Sequence, residues 1–148
     1  MMKGNLWFDG GSHGNPGPSS FGVSLLVHGS GQDNVGHFIG TATCNEAEYA
    51  GMVYGLLLAS SRGVSDLVVR GDSTLALRCG EGVAKCKAHN LRWLYNMAAM
   101  LRVGFRSIRW EHIPGEENGV CHELAADAIQ RASGSPLFAG RDKGLPVR

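Results

Sequence analysis

Leu6-Trp7-Phe8-Asp9-Gly10-Gly11, followed by Ser12-His13-Gly14-Asn15-Pro16-Gly17-Pro18, is the stretch on which the rest of the chain turns. An apolar run ends on an aspartate, which is costly to bury unpaired. The glycine pair stops a short buried strand at residues 6–9, and the Gly/Pro-rich stretch to Pro18 reads as a structured turn. Working outward, residues 21–28 and 36–42 are strand-like, separated by the polar turn at residues 29–34. Three consecutive antiparallel strands are expected.

Helical spacing begins after them. Asn45 is placed to cap a helix, with Glu48 three residues on reaching back as in a capping box. Ala47, Ala50, Val53, Tyr54, Leu57 and Leu58 recur with helical period, and Gly63 ends the run. Leu67-Val68-Val69 is a buried strand ending at Gly71-Asp72. Ser73 to Leu77 opens a second helix that Gly80 and Gly82 break. Asn90 caps a third, residues 105–113 alternate as a strand, and Asn118 caps a last helix running to near Ala132. Residues 1–132 therefore form one domain and 133–148 a flexible tail. Strands and helices in this order give an α/β domain, a five-stranded mixed sheet flanked by helices. Asp9 then sits on the central strand and Asp72 at the carboxyl end of its neighbour, where open α/β sheets place their sites.

At 148 residues the chain suits a single core. No stretch approaches the ~18 apolar residues of a membrane span, and the first residues lack a signal-peptide pattern. A cytoplasmic monomer with no membrane partner is expected. The four cysteines include no Cys-x-x-Cys pair, and Cys79, Cys86 and His89 fit no common zinc spacing; reduced thiols, mostly in the core, are expected. The net charge of +1 is unevenly spread: residues 78–109 hold seven basic side chains against the single acid Glu81. That basic middle beside acidic flanks suggests a polyanion-docking face next to a metal-holding one.

Four motifs carry the chemistry: Phe8-Asp9-Gly10-Gly11, Asn45-Glu46-Ala47-Glu48, Gly71-Asp72-Ser73, and Asn118 through Ala125, which contains His122. Glu48 read alone is a capping-box partner, and Asp72 alone a helix cap. Taken together, in order and on these elements, they resemble the type 1 ribonuclease H family from Leu6 to Ala132. The resemblance implies the ribonuclease H-like fold. It also implies an endonuclease that hydrolyses the RNA strand of RNA–DNA hybrids, leaving 3′-hydroxyl and 5′-phosphate ends. Two Mg²⁺ ions about 3.5–4 Å apart would activate water and stabilise the leaving oxygen, with Mn²⁺ as the alternative ion. Asp9 would bridge the two, and Glu48 and Asp72 would hold the ion on the leaving-group side.

The fourth position departs from the family, whose motif is Asn-x-x-x-Asp-x-Leu-Ala; here His122 replaces the aspartate. Glu123 points about 100° away on a helix, and Asp127 lies about 7 Å further along the axis. His122 is thus expected as a neutral imidazole ligand, against the readings that it orients water without ligating or that this metal position is lost. With His122 neutral, two divalent ions keep a net +1, worth about 4 kcal/mol at ~4 Å and an effective dielectric near 20 before compensation. Imidazole also suits Mn²⁺ better than Mg²⁺. By the same resemblance, Gly14, Asn15 and Asn45 would read RNA 2′-hydroxyls, Thr43 would seat a phosphate of the DNA strand, and Cys44 stands where some members carry another Asn. The basic segment between Gly80 and Asn90 is short. His112 falls on the last strand and receives no role. The competing reading is a hybrid- or RNA-binding module of the same fold without turnover. A proofreading-type exonuclease is disfavoured because Gly10-Gly11 follows Asp9, where an Asp-x-Glu pair would stand.

Overall fold

The structure, a computed structural model, describes residues 2–133. Its strands are β1 (Met2–Ser12), β2 (Gly17–Val27), β3 (Gly31–Ala42), β4 (Val64–Gly71) and β5 (Ser107–His112). Its helices are α1 (Cys44–Ser61), α2 (Thr74–Glu81), α3 (Arg92–Arg102) and α4 (Gly119–Ser133). They form one sheet in the order β3-β2-β1-β4-β5. The β1–β2 and β2–β3 pairs are antiparallel and the β1–β4 and β4–β5 pairs parallel. The expected mixed sheet is present, with β1 at its centre. The first three strands outrun the expected ones because pairing continues through small and polar residues, as in Ser12 with Ser19 and Gly17 with Ala42. The stretch assigned to a flexible tail lies outside the described residues, except Ser133, which closes α4.

The two faces of the sheet are covered differently. Leu6, Phe8, Val23, Leu25, Leu67 and Val69 join Met52 and Leu56 of α1 in the main core. Each such side chain contributes about 1.5–3 kcal/mol on burial. Close approach is needed there: a Cβ at Gly55 would stand 2.7 Å from a Leu6 methyl. The buried residues of α4 (Cys121, Ala125, Ala128 and Ile129) lie outside that cluster. Instead α4 lies across the paired glycines Gly22 and Gly36. A Cβ at Gly22 would sit 2.1 Å from the Cys121 carbonyl oxygen, and one at Gly36 2.4 Å from that of Leu124. Asp9 is the β1 partner of Gly22, so one cross-sheet row leads from this carboxylate to α4.

Three local expectations are corrected. Thr43, not Asn45, caps α1: its Oγ1 accepts the Glu46 N–H at 3.1 Å and the Glu46 carboxylate accepts the Thr43 N–H at 2.8 Å. Gly80 does not break α2 but lies buried inside it, because a Cβ there would meet Met52 Sδ at 2.3 Å and the Trp110 ring at 2.7 Å. Gly82 does the terminating, in the left-handed conformation at φ +88°. Asn90 does not cap α3, which is entered through the 3-10 turn His89–Leu91 without a side-chain cap.

The basic middle segment also divides. Arg106 pairs with Asp66 and Arg109 with Glu111 near β5, while Arg102 donates to the Gly80 carbonyl. Arg78, Lys85, Lys87 and Arg92 remain exposed on and between α2 and α3. Cys79 and Cys121 are buried, and Cys44 and Cys86 half-buried. Among the described residues no helix is long and apolar enough to cross a membrane.

Candidate active site

Asp9 sits near the end of the central strand, Glu48 in the first turns of α1, and Asp72 just past β4. They approach because Gly10 has no side chain. A Cβ there would stand 2.3 Å from the Ala47 carbonyl carbon and 2.4 Å from the Glu48 nitrogen, so α1 rests on the backbone of β1. The Gly10 N–H donates to Glu48 Oε1 at 2.6 Å and aims that carboxylate at Asp9. One oxygen from each of Asp9, Glu48 and Asp72 lies within 4.8 Å of the others. Among the described residues no other group of three metal-ligating side chains converges this way.

Crowding three acids has an electrostatic cost. Burial, then Asp9 beside it, pushes the Glu48 carboxyl up to about 9. Asp72 is also raised, by burial first and then by the Asp9 charge. Glu48 Oε2 is buried and, among the described residues, its only close polar neighbour is the Asp9 carboxylate, with no ordinary hydrogen-bond donor facing it. An orphaned carboxylate oxygen beside two further acids fits a hard cation with oxygen ligands. The simpler readings of these acids fall away, since Glu46 rather than Glu48 completes the capping box and Ser73 rather than Asp72 caps α2.

His122 stands apart from the three. Its Nδ1 is 3.4 Å from Asp9 Oδ2, its side chain is 77% exposed, and it falls outside the 4.8 Å group. Neither neighbouring acid replaces it: Glu123 is exposed outside the group, and Asp127 is paired with Arg131 at 2.8 Å. Cys121 is no substitute, since burial and then Asp9 push its thiol up to about 12, leaving it protonated at neutral pH.

Asn118 is expected as a helix cap and as the first residue of the fourth motif, with no inward contact. Its carbonyl does accept the His122 N–H at 3.1 Å, but its buried amide turns inward and donates to the Phe8 carbonyl at 2.8 Å. It thereby ties the start of α4 to the residue before Asp9. The sequence carries no signal for this, because an Asn before Gly119 reads equally well as a cap.

Beyond the acids, the β1–β2 turn meets the start of α1. Asn15 Oδ1 accepts the Cys44 N–H at 3.0 Å, which brings Gly14, Asn15, Thr43 and Cys44 together, with Asn45 exposed in the next position. Gly14 takes φ +88°, a conformation suited to glycine. A cleft of about 300 Å³ runs between this turn and α4, with Asp9, Asp72, His13 and His122 in its walls. His112 is exposed at the end of β5.

Comparison with known proteins agrees with this architecture. The family model described as "Reverse transcriptase-like" matches residues 7–128. Ribonuclease HI of Halobacterium salinarum is 36% identical over 130 residues, covering 86% of this chain and 65% of that protein. A bifunctional protein of Mycobacterium tuberculosis is 37% identical over 136 residues, covering 90% of this chain but only 37% of its own length. The chain thus spans just over a third of the mycobacterial relative and about two thirds of the halobacterial one. Among solved structures, the N-terminal RNase H domain of the M. tuberculosis protein superposes with a TM-score of 0.84 at 36% identity, covering 90% of this chain and 97% of that one. A compost-derived RNase H1, solved with an RNA/DNA hybrid, superposes with a TM-score of 0.79 at 30% identity, covering 87% of this chain and 98% of that one. By sequence, strand order and the match to these structures, this chain belongs to the type 1 ribonuclease H family.

Proposed function

We propose that this protein is an endoribonuclease that hydrolyses the RNA strand of RNA–DNA hybrids, leaving 3′-hydroxyl and 5′-phosphate ends. The observation that carries the reading is the convergence of Asp9, Glu48 and Asp72 from three separate elements. They would hold Mg²⁺ or Mn²⁺, with His122 contributing from α4. Two such ions, when bound, supply an activated water and charge stabilisation for the leaving oxygen. The protein's own part is placement. Asp9 is the acid both Glu48 and His122 approach. Gly10 fixes the Glu48 rotamer while leaving Oε2 free to accept a cation.

The same reading assigns the substrate contacts. Asn15 has its Oδ1 committed to Cys44, so its amide N–H groups and the Gly14 backbone face the 2′-hydroxyls of the RNA strand. Asn45 is exposed beside them, with the half-buried Cys44 at the same edge. The Thr43 hydroxyl accepts from Glu46 and keeps its own proton to donate to a phosphate. Arg78, Lys85, Lys87 and Arg92 supply a positive surface for the rest of the duplex. A hybrid labelled on its RNA strand, offered with Mg²⁺ or Mn²⁺, tests the assignment. RNA fragments support it, whereas tight binding with an intact RNA strand in both ions would establish the non-catalytic binding module instead.

A further inference from the structure

The cleft beside the three carboxylates must accept a polyanion, yet among the described residues no lysine or arginine lines it. Its uncharged polar side chains are mostly committed. Ser12 Oγ donates to the Gly14 and Ala42 carbonyls, and Ser20 Oγ to that of Ala125. His122 is turned toward Asp9. That leaves His13, exposed in the cleft wall, whose ring makes no hydrogen bond within the described residues.

The backbone holding His13 is fixed on both sides. Its N–H donates to the Pro18 carbonyl at 2.8 Å, closing the turn. Its own carbonyl lies where a side chain on Gly17 would be, 2.0 Å from that hypothetical Cβ. The turn thus presents a free imidazole from a defined backbone position, across the cleft from α4. Either neutral tautomer carries one ring N–H, so a donor is available whichever nitrogen holds the proton.

The geometry points to His13 as a substrate-contacting residue that donates a ring N–H to a backbone phosphate of the cleaved strand, next to the scissile one. This rests on the hybrid-nuclease reading above. The contact fixes the register of the strand over the carboxylates, as phosphate contacts do without reading sequence.

The test is binding of a fluorescent RNA–DNA hybrid by the full chain in metal-free buffer, so that the RNA stays whole. His13→Ala should weaken binding about tenfold, the scale of one hydrogen bond to a charged group. His13→Gln, which keeps an N–H donor, should recover most of the loss. A set of hybrids, each with one uncharged methylphosphonate linkage in the RNA strand, then locates the contact. At one linkage the wild-type penalty should disappear in His13→Ala, while other linkages penalise both proteins equally. Wild-type binding with no such coupled linkage overturns the role of His13 and leaves the nuclease reading intact. Failure of the wild type to bind hybrid overturns the role of His13, and the nuclease reading is then decided by cleavage of the same hybrid in Mg²⁺ and Mn²⁺.

Discussion

Replacing Glu48 by Gln should stabilise the metal-free protein while abolishing its response to metal. In the folded chain burial and Asp9 lift the Glu48 carboxyl from its usual 4.5 to about 9. A group whose folded pKa is raised stabilises the fold fully below 4.5 and loses that contribution as pH climbs toward 9. Between those limits the unfolded chain has released a proton that the folded chain keeps. Each pH unit then lowers stability by an amount on the order of 1 kcal/mol through this residue. At pH 7 the accumulated loss is on the order of 3 kcal/mol. Gln cannot ionise, yet its amide oxygen can still accept the Gly10 N–H, so the variant escapes the loss and keeps the contact. Urea unfolding in EDTA at pH 5, 7 and 8.5 measures this. The wild type should fall steadily and Glu48→Gln more shallowly, with the gap between them widening in favour of Gln. Added Mn²⁺ should then raise wild-type stability, by about 2.7 kcal/mol at a hundredfold excess over Kd, and leave the variant nearly unmoved. Parallel pH curves in EDTA would refute the picture of a buried acid that lacks its cation.

Four further substitutions probe separate parts of the molecule. Gly22→Ala places a Cβ 2.1 Å from the Cys121 carbonyl oxygen and should cost about 1–3 kcal/mol in urea unfolding by forcing α4 off the sheet. Thr43→Ala should cost about 1 kcal/mol by removing the α1 cap, whereas Asn45→Ala, with no capping bond to lose, should stay within about 0.5 kcal/mol. His122→Asp should shift relative cleavage activity from Mn²⁺ toward Mg²⁺, because a carboxylate restores charge balance and suits the harder ion. Equal Mg²⁺/Mn²⁺ ratios in the two proteins would show that His122 does not set the metal preference.

The mixed sheet with β1 at its centre and β4 beside it, and the convergence of the three acids, were legible because each left an independent mark: apolar runs, a strand-ending aspartate, and Gly-Asp before a helix. What escaped detection depends on packing. Residues 43–48 satisfy the capping pattern twice, as Thr43-x-x-Glu46 and as Asn45-x-x-Glu48. Only the contact of α1 with Gly10, which engages Glu48, separates the two. Gly80 looks like a helix breaker in sequence, but Met52 and Trp110, 28 and 30 residues away, are what require it. The inward turn of Asn118 depends on a carbonyl 110 residues distant. The strands run longer than their hydrophobic cores because ladder pairing tolerates Gly and Ser at the ends.

The most direct test is digestion of an RNA–DNA hybrid, end-labelled on its RNA strand, by the wild type and Asp72→Asn in Mg²⁺ and in Mn²⁺. Internal RNA cuts with 3′-hydroxyl and 5′-phosphate ends are expected from the wild type in at least one ion, and none from Asp72→Asn. Equal cutting by both proteins, or intact RNA from the wild type in both ions, would contradict the nuclease reading.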